Sequence, residues 1–76
     1  MFNKVEFDVA LIRKGVKYSE LAEDLHIDLS TLYRKIKNNG DFDRAQIAII
    51  MRRLDIEDPK PIFFAPDLAQ ETRKAE

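Results

Sequence analysis

The chain of 76 residues contains no cysteine and no tryptophan, and it has only two glycines and three prolines. Without cysteine it has no disulfide, no thiol nucleophile and no cysteine-ligated zinc site. No apolar run approaches the roughly 20 residues that a membrane-spanning helix needs. The length predicts one domain with a modest core. These absences favour a mostly helical, cytoplasmic protein without a membrane partner.

The sequence also lacks the residue sets on which enzymes commonly depend. His26 is the only histidine, and neither a Ser-His-Asp set nor a metal-ligand cluster is present. Gly15 and Gly40 are the only glycines, so no glycine-rich phosphate-binding loop is possible. A bundle this small offers no obvious cleft for two facing carboxylates. We therefore expect no catalytic residue, no metal and no cofactor.

Helix-end signals and apolar spacing predict an all-α fold. Asn3 and Glu6 have the spacing of a capping box, and Gly15 suits a left-handed helix end. Asp43 and Gln46 repeat the capping-box pattern. The predicted helices are residues 4–14, 18–25, 28–37 and 43–54, with residues 1–66 as one domain and residues 67–76 as a polar tail.

Two apolar features are interpreted from their position. Val5, Val9 and Ile12 widen the apolar stripe of the first helix, so we expect most of that surface to face the core. The Ile-Phe-Phe sequence at residues 62–64 is too short for a helix or strand assignment. We expect it to cover the open end of the core or to form a subunit contact.

Residues 18–37 are the most informative part of the sequence. Two short amphipathic segments flank a break around His26, which is expected to take a positive φ. Asp28 is a suitable N-cap for the second segment, and Leu32 and Ile36 lie one turn apart on its inward side. This pattern is typical of a helix-turn-helix, whose second helix, here about residues 28–37, enters the DNA major groove.

The outward side of the second segment carries side chains that suit DNA. Arg34 matches the O6 and N7 atoms of guanine, and Leu29 can contact a thymine methyl group. Ser30 can bond to a base edge or a phosphate, and Tyr33 can contact a phosphate or a sugar. The predicted phosphate contacts around these residues are Tyr18, Lys37, Asn38 and Asn39.

The charge distribution leaves two interpretations open. Residues 31–39 include three basic residues and no acid, whereas eight acids and six bases follow from residue 40 onward. A locally positive helix suits phosphate, but basic residues at a helix C-terminus also complement the helix dipole. Similarly, Tyr18 and Tyr33 can be half-buried amphipathic side chains, and Leu29 can be an ordinary exposed leucine.

A combination of short sequences carries a family resemblance: ELA at residues 20–22, LHI at 25–27 and STL at 30–32. With the surrounding segment, and with IFFAP later in the chain, it resembles the Cro and repressor-type helix-turn-helix proteins of temperate phages, the xenobiotic-response-element-like family. The resemblance covers about residues 2–66. It is strongest to the short Cro-like regulators of phages and integrated elements.

This resemblance implies a four- to five-helix, lambda-repressor-like DNA-binding domain that needs no cofactor. It also implies a homodimer on paired half-sites of double-stranded DNA, acting in transcriptional repression or switching. We place the dimer contact at the end of the fourth helix and at residues 56–66. Members of the family contact DNA at positions that correspond to residues of this chain. The positions that contact bases correspond to Leu29, Ser30, Tyr33 and Arg34, and those that contact phosphates correspond to Tyr18, Lys37, Asn38, Asn39 and Arg44.

The chain departs from the family pattern at several positions. Tyr18 stands where an amide is usual, and His26 stands where glycine is usual. Asp41 and Asp43 flank the loop near the expected DNA and would repel phosphate unless they are turned away. The acidic overall charge further predicts weak non-specific DNA binding.

A protein-interaction module is the alternative function. The same fold can serve as an antirepressor or corepressor that binds another phage regulator. The acidic back of the domain and the apolar residues 62–64 would suit such a partner.

Overall fold

The computed structural model describes residues 1–65, and within this range the chain forms five helices and no strand. The expectation of an all-α fold is therefore confirmed. Residue 66 and the predicted tail at residues 67–76 lie outside the described residues. The helices are α1 (Lys4–Lys14), α2 (Tyr18–Asp24), α3 (Leu29–Lys37), α4 (Arg44–Leu54) and α5 (Lys60–Phe63).

Helix α1 has the predicted bounds because local chemistry defines both of its ends. The Asn3 side chain accepts a hydrogen bond from the Glu6 N–H at 3.2 Å, and Gly15 ends the helix with φ 66°. The Asn3 N–H donates to the Ile62 carbonyl at 2.6 Å. The expected capping box is therefore only half formed, and its other donor joins the start of α1 to α5.

The expectation that Val5, Val9 and Ile12 face the core is wrong. Val5 is 70% exposed, Ile12 is 79% exposed and Val9 is 38% exposed. Phe7 and the neighbouring apolar residues already fill the side that faces the core. At 3.6 residues per turn, the three exposed residues fall on the opposite side of the helix. We call Val5, Val9 and Ile12 the α1 outer face.

The connection between α2 and α3 agrees with the sequence pattern. His26 has φ 58°, as expected, and the Ile27 N–H donates to the Ala22 carbonyl at 3.0 Å. Helix α2 ends at Asp24, one residue before the predicted end. Asp28 precedes α3 in extended conformation, but its side chain makes no capping hydrogen bond. Its place as N-cap is confirmed, whereas the hydrogen bond that usually accompanies it is absent.

One core joins the four longer helices. Helix α1 packs against α4 and α5, while α2 packs against α3 and α4. No polar or charged side chain of residues 1–65 is buried, so the core depends on apolar packing. Each of the first four helices contributes one of the largest fully buried side chains, which are Phe7, Leu21, Leu32 and Ile50.

The C-terminal part of the described chain closes this core. The Asp43–Gln46 capping box forms as predicted, with side chain to backbone hydrogen bonds of 3.1 and 2.8 Å. Residues 60–63 form the short helix α5, which the sequence did not predict. Ile62 and Phe63 are buried, whereas Phe64 is 59% exposed. The apolar segment therefore covers the core, as one of the two expected alternatives stated.

The loop after α3 is anchored to the chain start. Gly40 has φ 66°, and a Cβ atom there would lie 2.3 Å from the Phe2 ring. The Asn39 Oδ1 atom accepts a hydrogen bond from the Phe2 N–H at 3.1 Å. Glycine is therefore required at position 40 for both its backbone conformation and its lack of a side chain. These contacts hold the C-terminal end of α3 in place.

Candidate nucleic-acid interface

Helix α3 turns one side toward the core and the other toward solvent, because Leu32 and Ile36 are buried. The exposed side carries all four residues that were predicted to contact bases, together with one predicted phosphate contact. Tyr33, at its centre, is 52% exposed. We call this set the α3 outer face: Leu29, Ser30, Tyr33, Arg34 and Lys37.

The basic residues of α3 divide into two roles. The Lys35 ammonium donates to the Asp41 carbonyl at 3.1 Å, so this lysine links α3 to the following loop. The Arg34 guanidinium donates through Nη2 to the Thr31 hydroxyl at 3.3 Å and remains at the surface. Helix α3 contains no acidic residue. The positive charge of the α3 outer face is therefore that of Arg34 and Lys37.

Tyr18 lies beside the α3 outer face, but its hydroxyl already has a partner within the protein. It donates a hydrogen bond to the Asp8 carboxylate on α1. The same carboxylate accepts a hydrogen bond from the Lys4 ammonium at 2.6 Å. A phosphate contact by the Tyr18 hydroxyl, which stays a prediction, would require the hydroxyl to leave Asp8.

Opposite pKa shifts accompany this hydrogen bond. Burial, then the Asp8 hydrogen bond and charge, raise the pKa of the Tyr18 phenol well above its ordinary value. Burial raises the pKa of Asp8, but hydrogen bonds from Lys4 and Tyr18 outweigh it and hold that pKa below its ordinary value. At neutral pH the phenol therefore keeps its proton and the carboxylate its charge. The hydrogen bond between them is charge-assisted, which is the stronger kind.

The loop after α3 carries the remaining predicted phosphate contacts. Asn38 is exposed, and Arg44 is exposed at the start of α4. Asn39 is exposed too, but its side-chain oxygen accepts the Phe2 N–H. Only the NH₂ group of Asn39 is therefore left to bond a phosphate, and an amide nitrogen is the atom such a contact needs.

Two carboxylates lie in the same loop. The Asp43 carboxylate caps α4 by accepting the Gln46 N–H at 2.8 Å, where it complements the positive end of the helix dipole. Asp41 is exposed. Asp43 is exposed as well, but its carboxylate is engaged in capping α4.

A cleft of about 600 Å³ lies away from α3, between α1 and the segment that follows α4. Its lining combines apolar side chains, such as Val9 and Leu54, with charged side chains of both signs. The Lys14 ammonium lies 3.7 Å from the Asp55 carboxylate at its edge. Helix spacing did not predict this cleft, which forms where the chain turns at Asp55 with φ 56°.

Sequence reasoning did not connect Asp8 with the predicted interface. Its spacing from Lys4 indicates only an ion pair on the surface of one helix. The partner that matters, Tyr18, lies on the next helix and meets Asp8 only because α1 and α2 are folded together. No local pattern in the sequence could have identified that contact.

Within residues 1–65, no helix is long and apolar enough to cross a membrane. The same residues include no group of three or more His, Cys, Asp or Glu side chains that could hold a metal ion. Comparison of the chain with family models, curated proteins and solved structures finds no match in any of the three.

Proposed function

We propose that this protein is a sequence-specific, double-stranded DNA-binding regulator of transcription. In this proposal, α2, the turn at His26 and α3 act as a helix-turn-helix, and α3 lies in the major groove. The observation that carries the proposal is the α3 outer face, which is exposed, basic and free of acidic residues. Its opposite side is held by buried Leu32 and Ile36, so the core supports α3 while the outer face stays exposed.

Each residue of the α3 outer face has a defined task in this arrangement. Residues near the N-terminus of a recognition helix reach base edges first, which assigns that task to Leu29 and Ser30. Arg34 bonds to a guanine through its planar fork, and Tyr33 adds contact area beside it. Lys37 neutralises a phosphate at the far end of the helix.

A homodimer is part of the proposal because one recognition helix covers only a short half-site. A net charge of −1 supplies little non-specific attraction to DNA, so two copies are needed for useful affinity. Phe64 is exposed beside α5 and is a candidate contact between the copies. The proposed type of protein is a short Cro-like regulator.

Selection of bound sequences from a random duplex pool at moderate salt tests the function. We expect enrichment of a palindromic motif whose half-sites lie about 10 base pairs apart, one helical turn of DNA. Arg34→Ala should abolish or broaden the motif, whereas Arg13→Ala, which removes the same charge from an exposed position on α1, should leave it unchanged. A wild-type pool that shows no enrichment over the input would contradict the proposal.

A protein-interaction module is the second candidate, and the α1 outer face favours it. Three exposed apolar side chains on one helix, next to a cleft of about 600 Å³, are suited to a protein partner. This function predicts that Arg34→Ala leaves partner binding intact. Ile12→Gln should weaken partner binding instead, as measured by titration with the isolated partner.

A further inference from the structure

A chain of contacts joins three helices beside the α3 outer face. On α1, the Lys4 ammonium and Asp8 carboxylate are 2.6 Å apart. The same carboxylate accepts the hydroxyl of Tyr18 on α2. The Tyr18 ring then meets the Tyr33 ring of α3 edge-on, with centroids 5.3 Å apart and planes at 62°. The last member of this chain is the exposed centre of the proposed DNA-binding surface.

The Tyr18 ring is held from two directions. Its hydroxyl bonds to Asp8, and its ring also contacts the fully buried Phe7 ring at a centroid distance of 6.1 Å. Edge-to-face aromatic contacts have a preferred geometry, so a fixed ring restricts the ring that packs against it. Tyr33 is half exposed, yet its ring contacts a ring that Asp8 and Phe7 hold in turn.

We propose that Asp8 and Tyr18 are positioning residues, which hold the Tyr33 ring in the orientation that DNA contacts. This inference rests on the proposed function. A side chain that is already ordered loses less conformational freedom when a partner binds, so affinity improves without a new contact. The Tyr18 hydroxyl therefore acts inside the protein, in place of the phosphate contact that its position in the sequence predicts.

The two roles for Tyr18 differ in what they do to DNA binding. A phosphate contact strengthens binding to every duplex and contributes to its salt dependence. A positioning role acts through Tyr33, so it affects the preferred duplex more than a scrambled one. It also disappears when Tyr33 is removed, because contacts that act through a shared residue are not additive.

The free protein provides the first test, by proton NMR of the Tyr33 ring. We expect nuclear Overhauser contacts between the two tyrosine rings in the wild type, and their weakening in Tyr18→Phe and Asp8→Ala. Asp8→Asn keeps an acceptor for the hydroxyl without the charge, so it should preserve these contacts. Unchanged contacts between the rings of residues 18 and 33 in both disruptive variants, with circular dichroism showing intact folding, would overturn the proposal.

Binding to the selected duplex provides the second test. Tyr18→Phe and Asp8→Ala should each lower the ratio of specific to scrambled-duplex affinity, by roughly fivefold, within the usual range for coupled residues. In a Tyr33→Ala background the same changes should have no further effect. Equal weakening of both duplexes by Tyr18→Phe, with a flatter salt dependence that persists without Tyr33, would establish the phosphate contact and overturn the positioning role.

These outcomes separate this inference from the proposed function. Wild-type protein that binds no duplex above the scrambled control would overturn both. Sequence-specific binding by the wild type, with losses that add in the double variants, would leave the function standing and overturn only the positioning by Asp8 and Tyr18. Recovery of the affinity ratio in Asp8→Asn would support positioning through the hydrogen bond.

Discussion

The outer faces of α1 and α3 both expose apolar side chains, but their surroundings differ. Ile12 on α1 is 79% exposed, more than either Leu29 or Tyr33 on α3. Helix α3 itself carries basic side chains and no acid, whereas α1 carries both signs, including Glu6 and Arg13. Exposure of apolar surface therefore does not separate the face proposed to bind DNA from the face proposed to bind a protein partner, whereas the sign of the neighbouring charges does.

The two helices also differ in how the rest of the molecule holds them. The start of α1 is tied to the C-terminal segment, with the Asn3 N–H donating to Ile62 and the Ala65 N–H donating to Met1. Helix α3 packs mainly against α2 and lies at the edge of the bundle. A helix with one side free of the rest of the bundle can enter a groove about 12 Å wide.

The largest effect should come from the core that both faces share. Phe7→Ala removes a fully buried ring that packs against Phe2, Tyr18 and Phe42, and it should lower the free energy of unfolding by about 3–5 kcal/mol. Urea unfolding followed by circular dichroism measures this loss. Val5→Ala, on the α1 outer face, is the matched control and should change stability by no more than about 0.5 kcal/mol. A small loss for Phe7→Ala would show that the two faces do not share one core.

Removal of a base contact should produce the next largest effect. Arg34→Ala should weaken binding to the selected duplex by about 1–3 kcal/mol and relax the preference at one base position. Fluorescence anisotropy titration against single-base variants of the duplex measures both changes. Arg13→Ala on α1 should bind like the wild type. Unchanged affinity for the best duplex would show that Arg34 contacts no base.

A phosphate contact should have a smaller and more uniform effect. Lys37→Ala should weaken all duplexes to the same extent and reduce the salt slope by about one per bound protomer. Titrations of specific and scrambled duplexes between low and moderate salt measure this slope. Arg13→Ala, at an exposed position on α1, serves as the control and should leave the slope unchanged. A loss confined to one duplex sequence would instead make Lys37 a base contact.

The smallest effect should come from the α1 outer face. Ile12→Gln replaces an exposed apolar side chain, so stability should change by no more than about 0.5 kcal/mol and DNA affinity should stay at the wild-type value. Thermal unfolding and the same duplex titration check both quantities. A large loss of DNA affinity would mean that this face contributes to binding, through the duplex or through a second copy of the chain.

Local patterns predicted the helices well where short-range chemistry defines their ends. Asn3 and Gly15 set the bounds of α1, and Asp43 with Gln46 set the start of α4. The turn at His26 and the inward direction of Leu32 and Ile36 were likewise predictable. All of these depend on residues within about four positions of one another, and the sequence displays such relations directly.

The predictions failed where the chain has more apolar residues than the core can bury. Val5, Val9 and Ile12 have the hydrophobicity of core residues, but the other helices cover only one side of α1. The short helix α5 was not predicted, because a helix of four residues is marginal by itself. It gains its stability from packing over the core.

The sequence alone determined an all-α chain, the ends of its longer helices and a basic, acid-free third helix, since these follow from spacing and from residue type. Only the tertiary structure decided which face of α1 stays in solvent and that α5 closes the core. It also decided that the Tyr18 hydroxyl bonds to Asp8 while its ring contacts the Tyr33 ring. Those contacts join residues ten or more positions apart, and such pairs meet only when the packing of whole helices brings them together.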